Sequence, residues 1–278
     1  MTADARTTAA RPDLAARWLE GLVPAARYVD PNAMVGAVPL AAIRARPSEA
    51  AEQRDQLLFG ERFLVLERAD GWAWGQAPRD GYVGWVDVSQ LAPEAARPTL
   101  RIAVPLAHAY AEPDVRSPAT GPFVLGSLLC EEGRDGRFLK AAGAGWFVAG
   151  ALAPLGWFET DPVAVAERMV GAPYLWGGRS VLGVDCSGLI LQALQACGRA
   201  CPRDSDQQAA MLGRPIPREA FGRGDLVFWE GHVALGLSAD CVLHANSAAM
   251  AVSADPLESA LQRNRQIYGE PTAWRRLS

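Results

Sequence analysis

The amino-acid sequence predicts an α+β domain at its C-terminal end, preceded by two small β-barrels. Short β-like runs separated by turn residues begin near Met34, and a similar set of features recurs about 66 residues later. Near Trp157 the pattern changes again, to amphipathic helical spacing followed by strand-like runs. Helices that precede antiparallel strands are typical of α+β domains. The sequence therefore divides into four predicted segments: 1–32, 33–94, 95–156 and 157–278.

The overall composition is that of a globular protein. The chain has 278 residues, of which 50% are hydrophobic and 21% charged, enough for two or three domains with substantial cores. A formal net charge of −4 argues against nucleic acid or an anionic membrane as the main partner. No stretch approaches the ~20 apolar residues that span a bilayer. The composition leaves the oligomeric state open.

The first segment, 1–32, is predicted to be a helical lead-in. Residues 13–27 have amphipathic spacing that is interrupted at Pro24. The start of the chain has scattered charges and no apolar block, so we expect neither a signal peptide nor an anchor. Five cysteines, an odd number with no export signal, favour reduced thiols and a cytoplasmic location.

The middle of the chain contains an internal repeat. Each copy has a Val-Pro strand, at 38–40 in the first and 104–106 in the second. Each also has an Asp-Gly turn, at 70–71 and 135–136, and a Gly-Trp strand, at 84–86 and 145–147. An Asp-Gly pair between apolar alternating runs predicts a hairpin. The order of features resembles the bacterial SH3 domain, more closely in the first copy than in the second. One continuous β-domain with chance similarity is the alternative.

The sequence of the last segment, 157–278, predicts two helices and then three strands. The spacing predicts helices over 161–170 and 186–197, which end at Gly171 and Gly198. Short apolar runs separated by Gly, Ser and Asp predict strands at 224–229, 232–237 and 241–245.

Cys186 lies at the start of the second of these helices. Asp185 is a plausible N-cap, and the unpaired N–H groups of a first helical turn stabilise a thiolate and lower its pKa. We therefore interpret Cys186 as a candidate nucleophile. A cysteine at a helix start with no function is the alternative.

Two of the three histidines, His232 and His244, follow Cys186 in the same domain. Strand residues 12 apart can face each other across a hairpin, so that one imidazole orients the other. A cysteine with a base and an orienting group has the arrangement of a thiol hydrolase. Purely structural histidines are the alternative.

A structural zinc site is the competing interpretation, because Cys197 and Cys201 have a zinc-like spacing. Cys186 and Cys197, however, are ~16 Å apart along one helix. No second close pair completes a four-ligand set, so packing is the default interpretation for the cysteines other than Cys186. The residues call for neither a metal nor an organic cofactor.

A compound motif in the last segment resembles the NlpC/P60 cysteine peptidases. It consists of Tyr174-x-Trp-Gly-Gly, Asp185-Cys186-Ser187-Gly188-Leu189, Gly224-Asp225-Leu226-Val227-Phe228, His232-Val233-Ala234 and His244-Ala245. The resemblance covers about 160–270 and implies a papain-like α+β fold. It implies that Cys186 is the nucleophile, His232 the general base and His244 the orienting residue, with Tyr174 on the oxyanion side.

Together with the SH3-like segments, the chain resembles the γ-D-glutamyl-L-diamino-acid endopeptidases that trim cell-wall peptides. That resemblance implies a muropeptide substrate with a free N-terminal L-Ala and a role in murein recycling. It suggests that Asp204 contacts the substrate amine, with Asp185 and Ser187 nearby. Glu61 and Tyr82 of the first SH3-like segment are candidates to close the same pocket. For Glu61 the alternative is a solvated turn residue.

Other functions fit the same residues. A muramoyl-alanine amidase or a transpeptidase would use the same thiol chemistry. A non-catalytic protein that binds peptidoglycan peptides belongs to a different class, and the intact Cys186, His232 and His244 argue against it.

Overall fold

The computed structural model describes residues 4–277. The chain forms two compact units, one ending at Trp157 and the other beginning at Phe158. Among the described residues, no helix combines the length and the apolar character that crossing a bilayer requires.

Residues 13–27 do not form the predicted lead-in helix, so that prediction is wrong. Residues 10–29 contain three short strands and one 3₁₀ turn: β1 (Ala10–Arg11), β2 (Leu14–Ala16), the turn Arg17–Leu19, and β3 (Tyr28–Val29). Gly21 adopts a φ of 78°, and Pro24 cannot donate a helical hydrogen bond. The apolar side chains that suggested a helix instead pack beside Trp74 of the following β-domain. Tertiary burial therefore overrides the local helical spacing.

The first repeat folds into one antiparallel sheet in the order β10-β4-β7-β8-β9-β5-β6. Its strands are β4 (Asn32–Gly36), β5 (Leu40–Arg44), β6 (Gln53–Leu58), β7 (Arg62–Ala69), β8 (Trp72–Gln76), β9 (Val83–Asp87) and β10 (Leu91–Pro93). Asp70 and Gly71 form the tight turn between β7 and β8, both with positive φ (49° and 82°), as the Asp-Gly signal predicts. Ile43, Phe63 and Val86 lie in its core.

The second repeat forms two antiparallel sheets, in the orders β14-β11-β18 and β13-β12-β17-β16-β15. The strands are β11 (Leu100–Ile102), β12 (Leu106–Tyr110), β13 (Ala119–Val124), β14 (Leu128–Leu129), β15 (Glu131–Asp135), β16 (Phe138–Ala141), β17 (Gly145–Val148) and β18 (Leu152–Pro154). Asp135 pairs with Phe138, so the turn begins at Gly136, the glycine of the Asp-Gly pair. In the first repeat the turn begins one position earlier, at the aspartate of that pair. Phe123 packs edge-on against Phe147 in its core.

The C-terminal unit has the predicted α+β fold. Helices and short strands precede a sheet with the order β21-β26-β22-β23-β24-β25. The elements are α1 (Pro162–Glu167), β19 (Arg179–Ser180), β20 (Gly183–Val184), α2 (Cys186–Ala196), α3 (Ser205–Met211), β21 (Arg214–Pro215), β22 (Asp225–Trp229), β23 (His232–Gly236), β24 (Cys241–Asn246), β25 (Ala251–Pro256), α4 (Leu257–Tyr268) and β26 (Ala273–Arg276). The α2 helix packs against β23 and β24, which places its first turn against the central strands.

Local capping chemistry sets the ends of these helices. The Asp161 side chain accepts a hydrogen bond from the Val163 N–H, and α1 ends at Glu167, earlier than the sequence predicts. The α2 helix stops at Ala196, and Gly198 then adopts a φ of 72°. This left-handed residue after the helix is the expected glycine C-terminal signal.

Candidate active site

Cys186 is the first residue of α2, where the Asp185 carboxylate caps the helix. Asp185 Oδ1 accepts a hydrogen bond of 2.7 Å from the Gly188 N–H. A side chain at position 188 is excluded, because a Cβ there would lie 2.1 Å from the Gly178 carbonyl oxygen. The polar residues around Cys186 therefore serve the cap, and the glycines allow the close approach of the preceding loop.

The Cys186 side chain is buried at this helix start. Burial raises the pKa of the thiol to about 12, and repulsion from Asp185 adds to that effect. The backbone N–H groups of Val233 and Ser187 oppose it without reversing it. The expected lowering of the pKa at the helix start is therefore not found, and the raised pKa favours a neutral Cys186 thiol near neutral pH.

His232 and His244 lie on one face of the central strands, in direct contact. Leu235 pairs with Leu243, so the two histidines are diagonal neighbours on β23 and β24. His232 Nε2 and His244 Nδ1 are 2.8 Å apart. The His232 ring also stacks on Tyr268, with ring centres 5.0 Å apart and planes 3° from parallel. The predicted pairing of the two imidazoles is therefore present.

Burial keeps both imidazoles neutral. It lowers the pKa of His232 to about 3, and the neighbouring His244 and Arg263 lower it further. Burial also lowers the pKa of His244, although a hydrogen bond to Asp255 opposes that shift. Near neutral pH, each ring therefore has one N–H donor and one nitrogen acceptor.

The sequence analysis missed two residues beyond His244. Asp255 Oδ2 lies 3.0 Å from His244 Nε2 and also forms an ion pair with Arg263. Burial opposes ionisation of Asp255, but the hydrogen bonds from His244 and Arg263 hold its pKa below the ordinary value. A sequence signal exists, because Asp255 and His244 share one face of an antiparallel pair once β25 is recognised as a strand.

Tyr174 lies in the segment before α2, close enough to Cys186 to interact with it electrostatically. Its N–H donates to the Met250 carbonyl, and its backbone bridges to Val184. Burial raises the pKa of the Tyr174 phenol, and the nearby Cys186 and Asp185 raise it further. The phenol therefore stays protonated and can donate a hydrogen bond.

Asp185 and Ser187 form a buried cluster with Arg203, a residue the sequence analysis did not single out. The Arg203 guanidinium donates to both carboxylate oxygens of Asp185 at 3.0 and 2.7 Å, and to Ser187 Oγ at 2.9 Å. The Asp185 carboxylate also accepts hydrogen bonds from the Gly177 N–H at 2.8 Å and from the Ser187 hydroxyl at 3.2 Å, so it joins the glycine loop, the helix cap and Arg203.

Asp204 follows Arg203 and is half-buried at the N-cap position of α3. Its side chain makes no capping hydrogen bond to that helix. The structure therefore brings Asp204 next to a residue that contacts the cap of the Cys186 helix, while its contact with a substrate amine stays a prediction.

Glu61 and Tyr82 belong to the N-terminal unit. Glu61 is buried, accepts a hydrogen bond of 2.9 Å from the Leu58 N–H and lies 2.5 Å from Arg79. The alternative of a solvated turn residue is therefore wrong. Tyr82 packs in the core of the first repeat. The assignment of both residues to a substrate pocket stays a prediction.

Among the remaining cysteines, Cys201 is buried, whereas Cys130, Cys197 and Cys241 are half-buried. Cys197 follows the end of α2, and Cys201 Sγ lies 3.5 Å from Gln208 Nε2. Within residues 4–277, no group of three or more His, Cys, Asp or Glu side chains is placed to share a metal ion.

The fold and the site together define the C-terminal unit as a cysteine peptidase. Residues 171–268 match the NlpC/P60 family, and this unit belongs to it. Residues 43–91 match the bacterial dipeptidyl-peptidase Sh3 domain. That match falls within the first repeat, so an SH3-like second repeat stays a prediction.

Individual relatives agree with this assignment. The chain is 28% identical over 210 residues to the γ-D-glutamyl-L-lysine dipeptidyl-peptidase of Bacillus subtilis, covering 68% of this chain and 71% of the relative. It is 34% identical over 109 residues to dipeptidyl-peptidase 6 of Lysinibacillus sphaericus, covering 39% of this chain and 40% of the relative. The crystal structure of an NlpC/P60 family protein from Bacillus cereus matches with a TM-score of 0.75 at 19% identity, over 88% of this chain and 99% of that one. This last match supports the fold.

Proposed function

We propose that the protein hydrolyses the bond between γ-D-Glu and the diamino acid of cell-wall muropeptides that have a free N-terminal L-Ala. The observation that carries the proposal is the contact of His232 with His244, on strands that pack against the helix beginning with Cys186. The name of the Bacillus subtilis relative supports the γ-D-glutamyl specificity. We further propose a role in murein peptide recycling in the cytoplasm, which fractionation of intact cells tests.

The first chemical step is attack by the thiol. Because the Cys186 thiol and the His232 imidazole are both neutral, the proton leaves Sγ as the S–C bond forms. His232 Nε2 contacts His244, so Nδ1 is the nitrogen that receives this proton. The carbonyl π electrons move to oxygen and give a tetrahedral oxyanion. The Cys186 N–H and the Tyr174 hydroxyl are the proposed donors to that oxyanion.

The second step expels the amine and regenerates the enzyme. The imidazolium of His232 returns its proton to the leaving nitrogen as the C–N bond breaks, which leaves a thioester on Cys186. A water molecule then attacks the thioester while His232 accepts one of its protons. As the C–S bond breaks, the departing thiolate takes this proton from His232. The new carboxylic acid loses the second water proton to solvent, and the peptide leaves as a carboxylate.

Substrate choice rests on the half-buried Asp204. A carboxylate there matches the positive charge of the ammonium group of a free L-Ala. An acylated nitrogen has no charge, so an acylated peptide does not provide that partner. Glu61 and Tyr82 are proposed to complete the amine pocket, and Asp185 and Ser187 to line it near the nucleophile.

The deciding experiment is incubation with L-Ala-γ-D-Glu-meso-diaminopimelate, with mass spectrometry of the products. We expect L-Ala-γ-D-Glu and free diaminopimelate, and no release by Cys186→Ala. In a parallel incubation with the N-acetylmuramoyl form of the tripeptide, cleavage of the bond between muramic acid and L-Ala would identify an amidase. Transfer of the acyl group to an added amine, in either incubation, would identify a transpeptidase. Binding of the tripeptide without turnover would identify a non-catalytic binding protein.

A further inference from the structure

Three polar side chains form a diagonal line across neighbouring strands. His232, His244 and Asp255 lie on β23, β24 and β25, and the pairing of His244 with Ser253 places Asp255 on the same face. The two contacts along this line measure 2.8 Å and 3.0 Å. The line begins beside Val233, whose N–H hydrogen-bonds the Cys186 thiol, and ends at Arg263 on α4.

The donor at each contact follows from the chemistry of the last group. An ionised carboxylate only accepts hydrogen bonds, so Nε2 of His244 must carry the proton that Asp255 accepts. A neutral imidazole has one N–H, so Nδ1 of His244 is an acceptor, and Nε2 of His232 donates to it. The remaining nitrogen of His232, Nδ1, then has a free electron pair.

We propose that Asp255 is a positioning residue that fixes the tautomers of both histidines, so that His232 keeps an unprotonated Nδ1 for the Cys186 thiol. This inference rests on the proposed hydrolysis for its kinetic consequence and on the free protein alone for its tautomers. Asp255 acts entirely through His244. It therefore orients His232, the proposed general base, although the two side chains are not in contact and His244 lies between them.

Arg263 makes the role of Asp255 testable, because it is the second charged group beside His244 Nε2. Its Nη2 lies 3.5 Å from His244 Nε2 and pairs with Asp255. A guanidinium only donates hydrogen bonds. If Asp255 is removed, Arg263 is left as a donor beside Nε2 and favours the opposite tautomer of His244. His244 Nδ1–H would then donate to His232 Nε2, and His232 Nδ1 would carry a proton that blocks its use as a base.

The kinetic test compares four variants on the tripeptide. Asp255→Ala should lower kcat about 10²–10⁴-fold with KM within about threefold, the range seen when the group that orients a catalytic or metal-bound histidine is lost. Asp255→Asn can keep an amide oxygen at the position of Oδ2, where it accepts hydrogen bonds from both His244 Nε2 and Arg263, so it should lose less than about tenfold. The double variant Asp255→Ala/Arg263→Ala should recover at least about tenfold over Asp255→Ala, because the opposing donor is gone. Asp240→Ala, an exposed carboxylate of the same unit, is the matched control and should match wild type.

Recovery in the double variant separates this role from a structural one, because two truncations should otherwise add to the damage. Equal or greater loss in the double variant than in Asp255→Ala would overturn the inference. Should Asp255→Ala fail to fold, Asp255→Val takes its place, since β-branched residues suit a strand.

A direct reading of the tautomers needs no substrate. In the wild-type protein with ¹⁵N-labelled histidine at neutral pH, two-bond ring correlations should show protonated Nε2 in both His232 and His244. His108, the only other histidine, provides the reference signal. Asp255→Ala should move the proton of both rings to Nδ1. Protonated Nδ1 in the wild type, or unchanged tautomers in Asp255→Ala, would overturn the inference. Correct tautomers in a protein that cleaves no muropeptide would instead overturn the proposed function alone.

Discussion

Arg203 binds both carboxylate oxygens of Asp185, at 3.0 and 2.7 Å, and both side chains are buried. Arg203 also donates to the Gly178 carbonyl, so one guanidinium joins the glycine loop, the helix cap and the segment before α3. Asp185 is the cap of the helix that starts with Cys186. The position of Cys186 therefore depends on an ion pair between residues 18 apart in the chain.

Removing the positive partner of this pair should destabilise the C-terminal unit. Arg203→Met leaves Asp185 buried without its counterion, which typically costs about 3–5 kcal/mol. The free energy of unfolding in urea, followed by a probe in this unit, measures the loss. Arg214→Met, at an exposed arginine, should stay within about 0.5 kcal/mol of wild type. A loss under about 1 kcal/mol in Arg203→Met would show that the pair does not hold the cap.

Replacement of the nucleophile should abolish hydrolysis while the fold survives. Cys186→Ala removes the only atom that forms the acyl intermediate, so kcat should fall at least about 10⁴-fold. Because the thiol is buried, we expect a small cost of about 1 kcal/mol in the free energy of unfolding. Cys130→Ala, in the other unit, is the control for general cysteine loss. Equal activity of wild type and Cys186→Ala would exclude the thiol mechanism.

The two histidines should differ in how much activity their replacement costs. His232→Ala removes the base itself and should lower kcat about 10³–10⁴-fold. His244→Asn keeps a side-chain oxygen that can accept from His232 Nε2, so a loss of about 10–100-fold is expected. Steady-state kinetics on the tripeptide measures both. A larger loss in His244→Asn than in His232→Ala would reverse the assigned roles.

Alkylation of Cys186 should report a neutral thiol. The pKa of the thiol is raised to about 12 and that of His232 lowered to about 3, so neither group is charged between these values. Reaction with iodoacetamide requires the thiolate, so its rate at Cys186 should rise about tenfold for each pH unit from 6 to 9. Peptide mapping separates Cys186 from the other four cysteines. A rate that is flat over this range would indicate a thiolate–imidazolium pair.

Local signals in the sequence predicted several features of the candidate site, whereas contacts between segments far apart in the sequence were not predicted. Asp185 before an apolar helical stripe predicts α2 and the place of Cys186, and the period of the strands predicts the pairing of His232 with His244. Arg203 and Asp255 were missed because their roles depend on which strand or loop lies beside them in space.

Burial also decided matters that spacing could not. The helix-start argument predicts a lowered thiol pKa at Cys186, but desolvation outweighs it once the site is enclosed. For Glu61 the sequence left a solvated turn residue open as the alternative to a pocket residue, but an arginine 18 positions away pairs with this carboxylate inside its domain. Residues 13–27 have helical spacing, but their apolar side chains are buried against a sheet.

The choice between free and acylated peptides should depend on Asp204. Losing a charge-matched contact costs about 2–5 kcal/mol, so kcat/KM should be ~30-fold to several thousand-fold higher for the free tripeptide than for its N-acetyl form. Asp204→Asn should shrink that ratio mainly by slowing the free peptide, because the N-acetyl form has no ammonium group to lose. Asp206→Asn, an exposed carboxylate two residues away, is the matched control and should leave the ratio unchanged.

Glu61→Gln should shrink the ratio as well if Glu61 reaches the amine. Since Glu61 also pairs with Arg79, its variant is compared through the ratio of the two substrates, which a general loss of stability leaves constant. Equal cleavage of the two peptides by the wild-type protein would overturn amine recognition and leave the roles of Cys186 and His232 untouched.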